Sequence, residues 1–308
     1  LAEAARTADR RRDRVVVSAI EHDSILDNLP QLRALGFTVD TVKPNRRGYV
    51  EPSELEALMG PDVALVSNMF ANNETGVIQP VRALADVAHA HGAVYHADAF
   101  DVADLGVDAL SIAGHKVGGP VGIGALYLKG RTPIRPRSLG GGQERGLRPG
   151  TQDLRAIVGL AAAADALMPH VAEHVSVLRP LADNLYDRLC SNSRVHATMG
   201  DWADSDRLPG IVSIYVEGID SEELILKLDG LGFAVSAASA CSSGSMDASH
   251  VLRAMGIPRE DALGSLRISF DDRVDPAALD RFVEAFFEVV HDARPCPWIF
   301  PARTFPTS

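Results

Sequence analysis

The stretch that decides the fold class is residues 80–98, Pro-Val-Arg-Ala-Leu-Ala-Asp-Val-Ala-His-Ala-His-Gly-Ala-Val-Tyr-His-Ala-Asp. Pro80 favours the start of a helix, because its missing N–H costs nothing in a first turn, and Gly92 favours the end of that helix. The run from Ala93 to Ala97 then predicts a strand. A helix that leads directly into a strand is typical of an α/β protein with a parallel sheet.

The same alternation of helix and strand extends outward from this stretch. Val15 to Ala19 and Val63 to Val66 are continuous apolar runs, which are typical of strands buried on both faces of a parallel sheet. Residues 24–35 predict a helix that Gly36 ends. We therefore predict an α/β fold, with a mostly parallel sheet in a large domain that ends at residue 168.

The second half of the chain has a different pattern. A long Ala/Leu-rich helical region follows Gln152, and strands are then predicted at Ile211 to Val216, Phe233 to Ser236 and Leu266 to Phe270. Helices are predicted between these strands and over Pro276 to His291. We expect a smaller α+β domain at residues 169–308, in which the Pro-rich end is a surface tail.

The composition excludes several classes of protein. Of the 308 residues, 46% are apolar and 23% are charged, as in ordinary globular proteins. The net charge is −11, so no direct nucleic acid binding is expected. No apolar run approaches the roughly 18 residues of a membrane span, so no membrane partner is expected. The three cysteines lack the spacing of disulfides or of a metal site, which indicates a reducing, cytoplasmic location and no metal.

Polar side chains follow four predicted strands at the edge where ligands bind in an open α/β sheet. They are Glu21 and His22, Asn72 to Glu74, His96 and Asp98, and His115 and Lys116. Each pair alone also fits a structural role, because strand-end histidines are commonly held by hydrogen bonds and Asn-rich segments form turns. Together they offer the groups that a single cofactor chemistry needs.

That chemistry is the chemistry of pyridoxal 5'-phosphate. An aldehyde cofactor needs a Lys for a Schiff base and a carboxylate that keeps the ring nitrogen protonated. Lys116 and Asp98 suit these roles, while His22 can stack on the ring and Asn73 can donate to the ring hydroxyl. The glycines around Lys116 and the apolar strand before it also predict a partly buried ammonium, which would be costly without a function.

Cys241 is the cysteine that the sequence singles out. It lies within Ser-Ala-Cys-Ser-Ser-Gly-Ser at residues 239–245, where small neighbours leave the thiol mobile and accessible. Cys190, at a helix end, and Cys296, in the Pro-rich tail, lack such surroundings. Arg267, inside a short predicted strand, either faces solvent or offers its planar guanidinium to a carboxylate.

Several of these residues belong to longer segments that share one order along the chain. The segments are Ile20-Glu-His22, Asn72-Asn-Glu-Thr-Gly-Val-Ile-Gln-Pro80, His96-Ala-Asp98-Ala, Gly114-His-Lys116 with Gly119-Pro-Val-Gly-Ile-Gly-Ala-Leu-Tyr127, Gly140-Gly-Gly-Gln-Glu-Arg-Gly-Leu-Arg-Pro-Gly-Thr151, and Ser239-Ala-Cys241. In this order they resemble the cysteine desulfurase family, within the class V aminotransferase group of pyridoxal-phosphate enzymes of fold type I. The resemblance covers most of the chain from Arg14 to about His291.

The resemblance implies a role for each cofactor-facing residue. Lys116 would hold pyridoxal 5'-phosphate as a Schiff base, and Asp98 would pair with the ring nitrogen. His22 would stack on the ring, Asn73 would contact the ring hydroxyl, and His115 would lie at the phosphate.

The resemblance also implies a substrate and partners. Arg267, with Asn73, would bind the carboxylate of L-cysteine, while Lys116 or His22 would carry protons. Cys241 would take the sulfur as a persulfide, leave L-alanine, and pass the sulfur to an acceptor or scaffold protein for iron–sulfur cluster assembly or thiolation. Thr151 would reach the phosphate in the neighbouring subunit, which implies a homodimer with shared active sites.

Three departures from the family pattern fall on cofactor-binding segments. The Gly/Thr loop that holds the phosphate near the family's N-terminus is absent before Leu1, and the connection after Phe100 is shorter than in the family. Ala113 also stands where many relatives have a phosphate-binding Ser. Either the missing residues are disordered around an empty cofactor site, which is the explanation we favour, or the chain lacks them and binds the cofactor weakly.

Three alternatives to a cysteine desulfurase stay open. Selenocysteine lyase shares the fold, the cofactor and similar motifs. Another class V reaction, such as transamination, would leave Cys241 idle. A cofactor-free interaction protein of the same fold would account for the missing segments.

Overall fold

The computed structural model describes residues 1–98, 105–238 and 247–293. The chain divides into two compact units, the first formed by residues 1–43, 50–70 and 79–172 and the second by residues 44–49, 71–78 and those from Glu173 onward. The predicted division at residue 168 does not include the two short segments that the first half of the chain contributes to the second unit.

The helices and strands up to residue 167 alternate along the chain. In order they are α1 (Ala2–Ala8), β1 (Arg14–Ser18), α2 (Asp23–Leu26), α3 (Leu29–Ala34), β2 (Thr38–Val42), α4 (Pro52–Glu56), β3 (Val63–Ser67), α5 (Val81–Ala90), β4 (Val94–Asp98), β5 (Ala109–Ala113), β6 (Gly124–Leu128) and α6 (Leu154–Leu167). Short 3₁₀ turns lie at Gly114–Val117 and Glu144–Gly146.

The elements from residue 168 onward form a second series. In order they are a 3₁₀ turn (Met168–His170), α7 (Val171–Leu189), β7 (Val195–Ala197), β8 (Ile211–Val216), α8 (Ser221–Gly230), α9 (His250–Ala254), α10 (Arg259–Ala262), β9 (Ser265–Ser269) and α11 (Pro276–Asp292).

The sheet of the first unit has the strand order β2-β1-β3-β4-β5-β6. All neighbouring pairs from β2 to β5 are parallel, and only β6 runs antiparallel, against β5. Its core includes Val16, Val66, Tyr95 and Leu110, which pack with Leu84 of α5. The predicted α/β fold with a mostly parallel sheet is therefore confirmed.

The second unit contains an antiparallel sheet in the order β7-β8-β9. Ile214 and Leu266 of this sheet share a core with Leu224 of α8 and with Phe282 and Phe286 of α11. Periodic apolar residues on both helices supply this covering face.

Two predicted elements differ in the structure. The helix predicted over residues 24–35 is two helices, because Pro30 has no N–H to donate to the carbonyl of Leu26 and instead lies in the first turn of α3. The strand predicted over residues 233–236 is wrong as well. Only Ser236 pairs, through two backbone hydrogen bonds with Arg267 of 3.2 and 2.7 Å.

One helical stretch, Leu154–Leu189, is long and apolar enough to cross a membrane by length and composition alone. The sequence expectation concerned uninterrupted apolar runs, and Arg155 and Asp165 interrupt this stretch. Its most apolar part is exposed in the structure, with Leu154 and Val158 among the exposed side chains.

Candidate cofactor and substrate site

Four adjacent parallel strands of the first unit, β1, β3, β4 and β5, end at the same edge of the sheet. His22 follows β1, Asp98 ends β4, and His115 and Lys116 form the turn after β5. Since neighbouring strands are about 4.8 Å apart, β1 and β5 are separated by roughly 14 Å along this edge. The fold therefore presents imidazole, carboxylate and amine groups along one edge of a single sheet.

His22 is half-buried and caps the N-terminus of α2. Its Nδ1 accepts a hydrogen bond of 3.1 Å from the backbone N–H of Ser24. A nitrogen that accepts from an N–H carries no proton, so the neutral ring has its proton on Nε2. The local sequence thus sets both the position and the tautomer of this ring.

Asp98 is the last residue of β4 and is held through its backbone. It pairs in register with Ser111 of β5, and its carbonyl accepts a 3.0 Å hydrogen bond from the N–H of Phe70. His96, two residues earlier, is buried between Ser67 and Ser111, with a 2.9 Å hydrogen bond to each hydroxyl. Burial lowers the pKa of His96 to about 4, so this ring is neutral and has a structural role, whereas Asp98 lies at the strand end.

The turn that carries Lys116 depends on close backbone approach. The N–H of Gly114 donates to the carbonyl of Ile123 at 3.0 Å, and a Cβ on Gly114 would lie 2.8 Å from that same oxygen. Gly118 ends the turn at φ +78°. His115 and Lys116 are both exposed. The expected partial burial of the ammonium is therefore wrong, because the turn lies beyond the buried part of β5.

Thr151 is exposed at the end of the glycine-rich loop. Gly150 before it has φ +106°, and Asp153 after it caps α6 by accepting from the N–H groups of Arg155 and Ala156 at 3.1 Å. The loop therefore ends in a defined helix start, and the Thr151 hydroxyl remains accessible to solvent.

Asn73 and Arg267 belong to the second unit, where they are in direct contact. Nη1 of Arg267 donates to the backbone carbonyl of Asn73 at 2.8 Å. The turn itself is held by Asn72, whose Oδ1 accepts from the N–H groups of Glu74 and Thr75 at 2.9 Å. Within the described residues, Nε of Arg267 is buried and makes no hydrogen bond, so a donor of the guanidinium is left for a ligand.

The cysteines differ in what the structure describes. Cys241 and Cys296 lie outside the described residues. Cys190 is half-buried after α7, and burial raises the pKa of its thiol to about 11. Since the thiolate is the nucleophile, Cys190 is a poor candidate for sulfur chemistry.

Glu21 is a residue of this site for which the sequence indicated no role. It is 1% exposed, and its Oε1 accepts a 2.5 Å hydrogen bond from the N–H of Met69. Burial raises its pKa to about 8, and the neighbouring charge of Asp98 acts in the same direction. Tyr95 is buried beside it, which raises the pKa of its hydroxyl. In the sequence, the feature that could have drawn attention to Glu21 is a carboxylate placed shortly after a continuous apolar strand.

Comparison with known proteins places this chain in a family. The model of the class-V aminotransferases matches residues 1–282. A cysteine desulfurase from Nostoc sp. is 36% identical over 299 residues, which cover 94% of this chain and 74% of the relative. The chain belongs to the cysteine desulfurase family of the class-V aminotransferases.

Solved structures of similar proteins have the same fold as this family member. A NifS-like protein superposes with a TM-score of 0.83 at 33% identity, covering 94% of this chain and 78% of the other. A structure described as SspA in complex with cysteine superposes with a TM-score of 0.70 at 28% identity, covering 87% of this chain and 79% of the other.

The class-V family generally depends on pyridoxal phosphate, and the residues of this desulfurase-family chain fit that group. The fit rests on the donor set at one sheet edge, an accessible amine on Lys116, a carboxylate on Asp98 and an imidazole on His22. The sequence is continuous from Phe100 to Asp101, so the short connection belongs to the chain and the explanation by disordered residues is wrong there. Residues 99–104 themselves lie outside the described part of the chain.

Proposed function

We propose that the chain is a pyridoxal-phosphate-dependent cysteine desulfurase that removes sulfur from L-cysteine and leaves L-alanine. The observation that carries this proposal is the placement of His22, Asp98 and Lys116 after parallel strands that end at one edge of one sheet. The names of the similar proteins, and the relative described in complex with cysteine, support the substrate.

Each cofactor-facing residue has a distinct task in this proposal. When bound, pyridoxal phosphate supplies an electron sink that weakens the bonds of the substrate α-carbon. Lys116 attaches the group and moves protons at the α-carbon, and Asp98 holds the proton on the ring nitrogen. His22 stacks on the ring, and its tautomer places a donor at Nε2. The remaining contacts are Asn73 to the ring hydroxyl, His115 to the phosphate and Thr151 to the phosphate of the second subunit.

Arg267 and Cys241 carry the steps that involve the substrate. The buried Nε of Arg267 is a donor for the substrate carboxylate, and the bond from Nη1 to Asn73 keeps the guanidinium in place. The Cys241 thiolate attacks the substrate sulfur. The carbon–sulfur bond breaks with its electron pair left on carbon, and protonation of the carbon gives alanine while Cys241 keeps the sulfur as a persulfide.

The test is to mix the purified chain with pyridoxal phosphate and L-cysteine and to measure alanine and persulfide. Cys241→Ala should stop sulfur transfer and keep the visible absorbance of the bound cofactor, whereas Lys116→Ala should lose both. Cys190→Ala is the matched control and should behave like the wild type. The absence of a cofactor spectrum in the wild type would favour the interaction protein, and unchanged turnover in Cys241→Ala would favour transamination.

The same assay separates the desulfurase from selenocysteine lyase. L-selenocysteine is supplied in place of L-cysteine, and the two initial rates are compared at equal concentrations. A desulfurase is expected to release alanine from both substrates and to need Cys241 only for cysteine. Activity on selenocysteine alone would overturn the assignment.

The proposed partner for assembly is a second copy of the chain. Large apolar side chains are exposed on β6, its flanking loops and α6, and exposed apolar side chains that group together mark an interaction site. Those most exposed are Val121 and Leu139 at 90%, Leu154 at 70% and Val158 at 66%. Leu126→Asp in β6 should turn a dimer into a monomer in sedimentation velocity. Leu226→Asp, the same change at a still more exposed leucine on α8 (67% against 49% for Leu126), should leave the dimer intact.

The sulfur carried by Cys241 needs an acceptor protein. We place this transfer in the reducing cytoplasm, because a free thiol such as that of Cys241 persists there. Iron–sulfur cluster assembly and thiolation are the two destinations that fit, and the resemblance to a NifS-like protein favours the first.

A further inference from the structure

The side chain of Glu21 makes a hydrogen bond where the backbone hydrogen bonds between β1 and β3 have ended. The parallel ladder between β1 and β3 ends at the pair Val17 and Ser67, after which the chain from β1 turns away. Two residues further along, the N–H of Met69 donates to Oε1 of Glu21 at 2.5 Å. The carboxyl therefore provides the acceptor that a backbone carbonyl of β1 would provide in a longer ladder.

The opposite side of the same segment is bonded to β4. The N–H of Asn68 donates to the carbonyl of His96 at 3.1 Å, and the N–H of Phe70 donates to the carbonyl of Asp98 at 3.0 Å. Successive N–H groups of an extended segment point in opposite directions, so Met69 alone faces β1. The result is a short chain of bonds from the residue before His22 to the backbone of Asp98.

We propose that Glu21 is a positioning residue, whose bond to Met69 fixes the ring-stacking His22 relative to Asp98 at the cofactor edge of the sheet. The inference rests on the proposed function, since it assigns His22 and Asp98 to the two sides of one cofactor ring. Glu21 itself is buried and acts through its neighbours.

The surroundings of Glu21 fit this role. Burial favours the neutral carboxyl, which can still accept from Met69 and adds no second negative charge beside Asp98. The buried hydroxyl of Tyr95 also lies beside Glu21, and its pKa is raised by burial and by the carboxyl. A neutral acceptor is also what an amide supplies, so glutamine can replace glutamate here without loss of the bond.

The experiment compares Glu21→Met, which has a similar length and no oxygen, with Glu21→Gln, which keeps an acceptor. In the chain without cofactor, hydrogen exchange of the Met69 amide should become at least about 10-fold faster in Glu21→Met and stay near the wild-type rate in Glu21→Gln. Spectroscopic titration should show pyridoxal phosphate binding about 10- to 100-fold more weakly to Glu21→Met alone, because a buried donor is left without its partner.

A second arm separates positioning from general damage to the fold. In a His22→Ala background, Glu21→Met should weaken cofactor binding by less than about 2-fold, since the residue through which it acts is gone. Equal losses in both backgrounds would overturn the inference, and so would unchanged binding and unchanged Met69 exchange in Glu21→Met. If Glu21→Met does not fold, Glu21→Asp serves instead, because its shorter side chain falls short of Met69. A wild type that binds no pyridoxal phosphate overturns the proposed function, and the inference with it.

Discussion

Strands β4 and β6 belong to the same sheet and have opposite surroundings. Tyr95 and Ala97 of β4 are fully buried between β3 and β5, whereas Leu126 and Tyr127 of β6 are 49% and 37% exposed. The exposed strand β6, Gly-Ala-Leu-Tyr-Leu, is no less apolar than β4, Val-Tyr-His-Ala-Asp, so the difference in burial comes from what covers each strand. The strands around β4 are buried within the unit, whereas β6 exposes apolar side chains to solvent. Exposed apolar side chains of this kind are typical of a surface that a partner covers.

The largest expected effect on stability comes from truncating a leucine to alanine in the buried half of the sheet and, for comparison, in the exposed half. Leu110 in β5 is buried, and Leu126 lies on the neighbouring strand β6. Leu110→Ala should lower the free energy of unfolding by about 2–5 kcal/mol, whereas Leu126→Ala should cost less than about 1 kcal/mol in the monomer. Urea unfolding at low protein concentration measures both. Equal costs would mean that β6 is covered within a single chain, and the comparison would fail.

An intermediate effect on stability is expected at the turn after β5, between the buried strands of the sheet and the exposed strand β6. Gly114 follows β5, and an added Cβ would meet Ile123 at 2.7 Å from Cγ2 and 2.8 Å from the carbonyl oxygen. Gly114→Ala should therefore cost about 1–3 kcal/mol of stability and shift the turn that holds Lys116. Gly130→Ala is the control, because its Cβ would meet no atom within 4 Å. Thermal unfolding compares the two, and similar melting temperatures would contradict the tight packing at Gly114.

The smallest expected effect is the change in stability per pH unit that the buried Glu21 causes. The pKa of Glu21 is about 8 in the folded chain, against an ordinary value of 4.5. Between these values the unfolded chain has lost the proton and the folded chain has kept it. Stability therefore falls as pH rises, by up to about 1.4 kcal/mol per pH unit. Glu21→Gln cannot ionise and should lack this slope.

His96 has the opposite influence and must be separated from Glu21. Its pKa is lowered from 6.5 to about 4, so its contribution to stability is complete above pH 6.5 and is lost as pH falls. Because both proteins contain His96, the difference in unfolding free energy between Glu21→Gln and the wild type isolates Glu21. That difference should grow from about pH 5 to about pH 8, and a constant difference would show that Glu21 is already ionised.

Local chemistry explains which predictions from the sequence hold. The run of Val15, Val16 and Val17 and the start of α5 after Pro80 are recognisable because apolar periodicity and proline geometry act over a few residues. The same local rule, applied to Pro30, would have divided the helix predicted over residues 24–35. The exposure of Lys116 was missed because burial depends on what packs over a turn and not on its neighbours in sequence.

The sequence by itself determined the α/β class and the family, since these follow from residue types and their order, and it predicts the chemistry of the strand-end residues. Only the tertiary structure decided which groups meet. It placed the Glu21 carboxyl on the N–H of Met69, 48 residues away, and the Arg267 guanidinium on the carbonyl of Asn73, 194 residues away. It also left β6 exposed while β4 is buried. Hydrogen bonds and burial act through space, so contacts between distant parts of the chain leave no pattern in a single sequence.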